Sequence, residues 1–270
     1  MTPDVSVVLP LWRPEPDHLR EAIRSVLAQT LERFELIIVE DPSDRPGAAI
    51  VRELADERVR YVPNATRTSI VEQHNRAVSL ARASLIARFD GDDVCEPERL
   101  AKQKDLLDAH PEIGVVGCQL LVIGSDGTPV GLRHYPTGPA EIRAAFRRYN
   151  PIANPGVMFR SRIVDEHGGW TQGNNGVARD YEWYSRLASR GVVFSNLDEP
   201  LVRYRLHQGT LKYRKLRQTI ETTLEVKRTY WAREMNAGDR AAMVAERLAA
   251  FLPPRAVLAL FRRTRLRKLA

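Results

Sequence analysis

Cysteine and long apolar runs are the two features that this sequence most clearly lacks. Only Cys95 and Cys118 occur among its 270 residues, too few for a disulfide framework and without the paired spacing of a zinc site. We interpret both as small buried residues in a reducing compartment. No stretch reaches the roughly 20 apolar residues of a membrane span, and the apolar run at residues 5–9 is too short for a secretory signal. These absences predict a cytoplasmic protein.

Glycine is also missing where one large class of α/β enzymes needs it. The turn after the first predicted strand reads Pro-Leu-Trp-Arg-Pro at residues 10–14. A dinucleotide-binding oxidoreductase requires a glycine-rich turn there, because glycine lets the backbone approach the pyrophosphate. The sequence therefore excludes that class.

Positive charge is in excess and unevenly placed. The net charge is +7, and basic residues are concentrated between positions 212 and 268. Such a surplus predicts an anionic partner, but nucleic acid is not expected, because few aromatic residues interleave with the basic tail. Residues 252–270 combine Val257, Leu258, Leu260 and Phe261 with a dense basic run. That combination predicts either peripheral attachment to an anionic membrane or packing on the domain or a second subunit.

Strand and helix patterns alternate through the first hundred residues. Short apolar runs are followed each time by a segment in which apolar residues recur every three or four positions. Asp17 is expected to cap the first helix, and Pro97 to open the fourth. The alternation predicts an α/β fold with a mostly parallel sheet flanked by helices. The strands are predicted at residues 5–9, 34–39, 59–62 and 84–89, and the helices at 17–27, 48–54, 69–81 and 98–109.

The pattern changes after residue 110, and the last sixty residues are predicted to be helical. We therefore divide the chain into a domain at residues 1–210 and a helical basic extension at 211–270. Further strands are predicted at residues 115–117, 120–123, 157–159, 192–196 and 201–204, and further helices at 140–149, 179–188, 211–231 and 239–251.

Acidic residues follow two of the predicted strands. Glu40 and Asp41 follow the second strand, and the sequence DGDD at residues 90–93 follows the fourth. Ligands of parallel α/β sheets bind beyond this edge. Several carboxylates on one turn repel one another unless a cation neutralises them, and hard divalent cations prefer such oxygen ligands. The alternative is an exposed acidic turn in which Asp92 or Asp93 caps the next helix.

The same acidic turn superficially fits a phosphohydrolase of the haloacid-dehalogenase type. That class normally carries the motif on its first strand and needs a later lysine and a second acidic cluster. Here the motif follows the fourth predicted strand and no convincing later acidic pair is present, so we set that class aside.

The ordered set of segments resembles the family 2 glycosyltransferases, which have the GT-A fold. The resemblance covers about residues 4–210, and the set as a whole is far more specific than any single motif. It implies that residues 1–100 form the nucleotide-sugar-binding half and residues 101–210 the acceptor half. The matching segments are VSVVLP at 5–10, SVLAQT at 25–30, FELIIVED at 34–41, residues 89–103 and 150–159, GGW at 168–170, residues 179–187 and YRLH at 204–207.

The resemblance implies where the donor nucleotide binds. Asp41 lies where the family contacts the nucleobase, usually uracil or a related base, so a UDP-sugar is the donor most expected. Pro10, Leu11 and Trp12 would line the same pocket. The family usually has Gly-Ser after this acidic pair, whereas Pro42 and a serine follow here, so that turn is expected to differ.

The resemblance also implies a metal site for Mn²⁺ or Mg²⁺. Asp90, Gly91 and Asp92 match the family's Asp-x-Asp motif, which contacts the ribose and the metal-bound diphosphate. Asp92 and Asp93 are the expected carboxylate ligands. His207 matches a C-terminal histidine that often completes the metal site in GT-A enzymes.

Asp180 falls where the family places its catalytic base, at the start of a helix facing the acceptor. It would take the proton of the acceptor hydroxyl as the oxygen attacks the anomeric carbon, with inversion. Arg179 stands where the family commonly has glutamate; it would lower the pKa of Asp180, or hold a donor phosphate or an anionic acceptor. Asn154 would line the acceptor cleft, unless it serves only the turn before Pro155.

These features predict a metal-dependent, inverting glycosyltransferase of bacterial surface polysaccharide or glycolipid synthesis. Its acceptor would be a carbohydrate or a lipid-linked saccharide, reached from the cytoplasm or from the inner face of the plasma membrane. The alternative is a sugar-nucleotide-binding protein that has lost activity on the same fold, for which Arg179 is the hint. Whether the protein forms a homodimer is left open by the sequence.

Overall fold

The computed structural model of the protein describes residues 2–172, 176–206 and 216–251. Within those ranges, nine strands form one sheet with helices on both faces. The strands are β1 Val5–Leu11, β2 Phe34–Glu40, β3 Val59–Pro63, β4 Leu85–Arg88, β5 Val94–Cys95, β6 Ile113–Ile123, β7 Pro129–Arg133, β8 Met158–Arg160 and β9 Val193–Arg205. The helices are α1 Pro16–Leu27, α2 Ala48–Leu54, α3 Ile70–Ser79, α4 Arg99–Ala109, α5 Pro139–Phe146, α6 Arg162–His167, α7 Arg179–Ser189, α8 Leu216–Trp231 and α9 Ala237–Ala249.

The first half of the sheet is parallel and the second half is mixed. The strand order is β3-β2-β1-β4-β8-β6-β9-β5, with β7 paired to β6. β3, β2, β1 and β4 run parallel, whereas β8 is antiparallel to both β4 and β6. The α/β architecture predicted from the sequence is confirmed, and three of its four parallel strand pairs lie within residues 1–100.

Every residue of β1 and β2 is buried, as expected of central parallel strands covered on both faces. Successive side chains of β1 point to opposite faces, so Val7 and Leu9 pack with α1 and α4, while Val8 packs with α3 and α7. Cys95 and Cys118 are both buried and unbonded to each other, as the sequence predicted.

Several element boundaries differ from the predicted ones. Pro10 lies inside β1. The backbone polar groups of Val8 point toward β4, and those of Pro10, two residues later, point to the same side. Because β4 has already ended there, the missing N–H of Pro10 costs no hydrogen bond of the sheet. Asp17 is not the cap of α1; Glu15 occupies that position, and Pro16 begins the helix with its fixed φ. The two strands predicted at 192–196 and 201–204 form the single strand β9, which shifts register against β6. Strand β7 was not predicted.

The C-terminal helices α8 and α9 pack onto the domain. Trp231 at the end of α8 is fully buried and stacks on Phe146 of α5 with ring centroids 5.6 Å apart. Asp239 of α9 is buried and forms ion pairs with Arg147 and Arg148 at 3.0 and 2.7 Å. The described part of the extension therefore shares a core with the domain, and the boundary at residue 210 stays a prediction. In the described ranges, no helix is both long and apolar enough to span a bilayer.

Candidate functional site

The acidic residues that follow β2 and β4 lie at one edge of the sheet. β1 runs between these strands in parallel register, with Leu11 opposite Glu40 and Val8 opposite Arg88. Asp41 follows β2 directly, and Asp90 lies two residues after the end of β4. The carboxyl edge of the parallel strands thus carries both predicted parts of the donor site.

The turn after β4 brings three carboxylates together. One oxygen from each of Asp90, Asp92 and Asp93 lies within 4.8 Å of the others. Asp93 is fully buried; its Oδ1 accepts a hydrogen bond from the Arg205 backbone at 2.8 Å, and no partner is found for its Oδ2 among the described residues. Burial raises the pKa of Asp93 well above its usual range, and the neighbouring carboxylates raise it further. Burial and the neighbouring carboxylates thus disfavour the ionised form of Asp93, and a positive charge beside it would favour that form.

Arg205 holds this acidic turn against the rest of the sheet. Its guanidinium donates to the Asp92 carbonyl at 2.8 Å and to Glu21 of α1 at 2.6 Å, and it also reaches the carbonyls of Gly124 and Ser125. Arg205 is only 3% exposed, so its guanidinium is shielded from solvent, although the Glu21 side chain is half exposed. The turn is consequently fixed in position before any ligand binds.

Arg88, two residues before the acidic turn, is the centre of a buried polar network. Its Nη1 and Nη2 donate to both oxygens of Asp90 at 2.7 and 2.5 Å. Its Nε donates to Nε2 of His74 at 3.1 Å, while the other ring nitrogen of His74 contacts the Ile70 carbonyl at 2.8 Å. This arrangement assigns the proton of a neutral His74 to Nδ1. Burial, together with the charge of Arg88, lowers the pKa of His74 well below its usual value.

The network continues to the helix that carries Asp180. With its amide oxygen turned toward Arg88, Asn154 accepts from the guanidinium at 3.1 Å and donates to the Tyr184 hydroxyl at 2.9 Å. Tyr184 lies one turn after Asp180 on α7 and is fully buried. Asn154 therefore links Arg88, and through it the acidic turn, to α7, in addition to lining the cleft described below.

Asp180 opens α7 and points toward the same region. Asn150 donates to its Oδ2 at 2.9 Å, and no partner is found for Oδ1 among the described residues. The helix begins after Ala178, whose backbone is left-handed (φ 49°), and no side chain caps it. Asp180 therefore does not act as the N-cap residue of this helix.

Arg179, beside Asp180, contributes a positive charge that no ion pair in the described part of the chain neutralises. Burial lowers the pKa of its guanidinium, Asp180 acts to raise it, and Arg88 acts to lower it. Two arginines and two carboxylates, Asp90 and Asp180, thus lie close together.

A cleft with a volume of about 700 Å³ joins these groups. Four of the predicted site residues line it: Asp90, Asn154, Arg179 and Asp180. Residues of α8 and α9 also line it, among them the buried Lys227, which pairs with Glu246. The predicted carboxylate base and the acidic turn therefore face a common space.

Asp41 and the residues around it do not line this cleft, and they are mostly buried. Its carboxylate accepts from the Asn64 amide at 2.6 Å, from the Thr68 backbone at 2.7 Å and from the Thr68 hydroxyl at 3.0 Å. Burial acts to raise the pKa of Asp41, but these hydrogen bonds outweigh it and lower the pKa. Arg76 donates to Asn64 and completes this shell. Asp41 is thus held as a fixed anion.

Of the apolar residues predicted to line the nucleobase pocket, only Trp12 is exposed. Its side chain is 42% exposed, and the Arg67 guanidinium lies 3.9 Å from the ring centroid. Pro10 and Leu11 are buried, and the Leu11 carbonyl accepts from the Asp41 backbone and from Gln73. Gly91 packs on Leu11; a Cβ there would lie 3.0 Å from it, so this glycine permits close packing.

Two further polar residues, Glu40 and Asn75, have structural roles. Glu40 is buried and accepts from the Gly47 backbone and the Tyr61 hydroxyl, so it does not face the cleft. Asn75 exchanges two hydrogen bonds with the backbone of Trp170, at 2.9 and 3.0 Å. His207, the predicted histidine ligand, lies outside the described residues, as does the segment 252–270.

Arg88, His74, Asn150 and Tyr184 were not identified from the sequence. One signal was present for Arg88, because a charged residue interrupts the apolar run before the acidic turn. The other three are ordinary polar residues on helices or in a loop, and only the folded chain places them together.

Comparison with known proteins agrees with this geometry. The model of the family described as Glycosyl transferase family 2 matches residues 6–168, more than half of the chain. The amylovoran biosynthesis glycosyltransferase AmsE of Erwinia amylovora is 26% identical over 226 residues, covering 83% of this chain and 84% of that protein.

Two solved structures share the fold. S. aureus TarS 1-349 in complex with UDP-GlcNAc superposes with a TM-score of 0.66 at 16% identity, covering 91% of this chain and 72% of that one. The mannosyltransferase PcManGT from Pyrobaculum calidifontis, in complex with GDP-Man and Mn²⁺, gives 0.64 at 16% identity, covering 96% and 79%.

A curled α/β sheet with its acidic turn at the parallel edge is the architecture of a GT-A glycosyltransferase. The chain belongs to glycosyl transferase family 2. The family and fold inferred from the sequence are thus confirmed, while the roles of individual site residues stay predictions.

Proposed function

We propose that this protein transfers a sugar from a nucleoside-diphosphate sugar, most consistently a UDP-sugar, to an acceptor hydroxyl in the synthesis of a bacterial surface polysaccharide or glycolipid. The observation that carries the proposal is the common cleft onto which Asp90 and Asp180 open. AmsE, whose name places it in amylovoran biosynthesis, supports the polysaccharide assignment. TarS and PcManGT, solved with UDP-GlcNAc and GDP-Man, support a nucleotide-sugar donor.

The donor nucleotide would extend from Asp41 to the acidic turn. Asp41 is an anion whose position is set by Asn64 and Thr68, and it would accept an N–H from the base; because it is only 2% exposed, the side chains around it would have to move for the base to reach it. Trp12 follows Leu11, whose carbonyl accepts from the Asp41 backbone, and it offers an exposed aromatic ring.

The acidic turn fits a hard divalent cation. Three carboxylates converge within 4.8 Å, and the buried Oδ2 of Asp93 has no partner among the described residues. Asp92 and Asp93 would hold the ion, with His207 as a further proposed ligand, and PcManGT in complex with Mn²⁺ supports Mn²⁺ or Mg²⁺. When bound, such a cation neutralises charge on the leaving diphosphate.

Asp180 would act as the general base. Asn150 fixes its Oδ2, so Oδ1 is the atom that would take the proton of the acceptor hydroxyl. The acceptor oxygen then forms a bond to the anomeric carbon as the bond to the diphosphate breaks, and attack from the opposite face inverts that carbon. Arg179 would bind a phosphate of the donor or an anionic group of the acceptor.

A second candidate function is sugar-nucleotide binding without turnover. Arg179 favours it, because it places a positive charge beside Asp180 at a position where the family commonly has glutamate. Turnover decides between the two functions.

The test is release of nucleoside diphosphate from a panel of UDP-, GDP- and dTDP-sugars in the presence of Mn²⁺ or Mg²⁺. We expect metal-dependent release from one donor, lost in Asp92→Ala and in Asp180→Ala. Asp165→Ala is the matched control, because Asp165 is an exposed carboxylate on α6 away from the cleft. Donor binding with no turnover, even when acceptor extracts are added, would favour the second candidate.

A further inference from the structure

Helix α9 carries apolar side chains on its solvent side. Val244, Leu248 and Phe251 are 57%, 64% and 72% exposed. Their spacing of four and then three residues places them along one face of the helix and the turn that follows it. We call this set the apolar stripe.

The opposite side of the same helix is the one that packs on the protein. Asp239 is buried against Arg147 and Arg148, and Glu246 pairs with Lys227 of α8. These ion pairs fix the orientation of α9, and the apolar stripe is therefore on the side that faces solvent.

The charges around the apolar stripe are positive. The exposed ionisable residues of α9 are Arg240 and Arg247, and Arg217 of α8 lies 5.6 Å from the ring of Phe251. Glu221 pairs with Arg217 and offsets that charge. The chain after Phe251 contains six basic residues and no acidic one among residues 252–270. An anionic surface complements this distribution.

We propose that the apolar stripe of α9 inserts into the surface of an anionic lipid bilayer, with Arg240 and Arg247 contacting lipid headgroups. An apolar face flanked by arginines is the pattern that lies in a membrane interface. A second copy of this chain would leave those like charges facing each other, which disfavours it as the occupant.

The proposal gives the cleft a position relative to the membrane and, in this respect, rests on the proposed function. Ala242 and Glu246 on the inner side of α9 line the cleft. A helix is about 10 Å across, so the part of the cleft that α9 lines would lie roughly that far from the bilayer surface. A saccharide attached to a membrane lipid could reach it.

Co-sedimentation of the full chain with vesicles tests the proposal. We expect binding to phosphatidylcholine vesicles that contain phosphatidylglycerol and little binding to phosphatidylcholine alone, weakened by salt. Leu248→Asp combined with Phe251→Asp should lower the partition coefficient by at least about tenfold. Val130→Asp is the control, because Val130 is 47% exposed on β7, away from the apolar stripe.

A second variant, Arg240→Gln combined with Arg247→Gln, leaves the apolar residues in place and should weaken binding to anionic vesicles only. Release of nucleoside diphosphate should be unchanged in all variants, so failure of this proposal and failure of the proposed function can be told apart. Binding equal to wild type in both double variants overturns the proposal. A dimer in solution that Leu248→Asp with Phe251→Asp dissociates, without any vesicle binding by the wild type, also overturns it.

Discussion

Replacing Arg88 by methionine tests whether the buried network around Asp90 stabilises the fold through charge pairing. The Arg88 side chain is 6% exposed, and that of Asp90 is 29% exposed. Methionine fills similar space but leaves the Asp90 carboxyl group beside Asp92 and Asp93 without its counterion, where burial already raises its pKa. It also leaves His74 and Asn154 without a hydrogen-bond donor.

The expected cost follows from burial. Removing one partner of a buried ion pair costs about 3–5 kcal/mol. Solvent partly screens Asp90, so we expect the lower end, about 3 kcal/mol. For a domain of this size that corresponds to a fall in melting temperature of roughly 6–12 °C. Arg217→Met is the control: its pair with Glu221 is exposed on both sides and should cost less than about 0.5 kcal/mol.

The assay is urea unfolding followed by circular dichroism, with Arg88→Met measured in the wild type and in an Asp90→Asn background. If the ion pair carries the effect, the arginine substitution should cost about half as much once Asp90 is neutral. Equal cost in both backgrounds would refute the reasoning and would assign the effect to lost packing or to His74 and Asn154.

Three further predictions concern the site. Asp180→Asn keeps a partner for Asn150 and should lower turnover about 10²–10⁴-fold with unchanged donor affinity, measured by steady-state kinetics and calorimetry; wild-type turnover would exclude Asp180 as the base. Asp93→Asn should abolish the rise in melting temperature that Mn²⁺ produces in the wild type, and a retained rise would place the ion elsewhere. His74 is held neutral, so unfolding takes up a proton below its usual pKa of about 6.5. Relative to His74→Gln, wild-type stability should then fall by up to about 1.4 kcal/mol per unit as pH drops below that value. A pH-independent difference in unfolding free energy between the two proteins would contradict this assignment.

Sequence alone was sufficient for the family, the fold class and the edge of the sheet that carries the acidic residues. Periodicity identifies helices such as α3 because burial repeats every three to four residues along one face, whereas β2 is identified as a short continuous apolar run that is buried on both faces. The turn at residues 90–93 follows a buried strand, and in a parallel sheet that position is at the ligand-binding edge. The order of strands and turns along the chain therefore predicts where the acidic turn lies on the sheet.

Only the tertiary structure decided which polar side chains meet. The Arg88 network joins β4, α3, the 3₁₀ turn Asn154–Gly156 and α7, which are distant in sequence. Likewise, Arg205 fixes the acidic turn from 112 positions further along the chain. Hydrogen bonds of this kind depend on how helices and strands pack across the sheet, and this packing produces no repeating pattern of residues in the sequence. The reversal of β8, which turns the parallel sheet into a mixed one, was hidden for the same reason: strand direction depends on the path of the chain rather than on side-chain alternation.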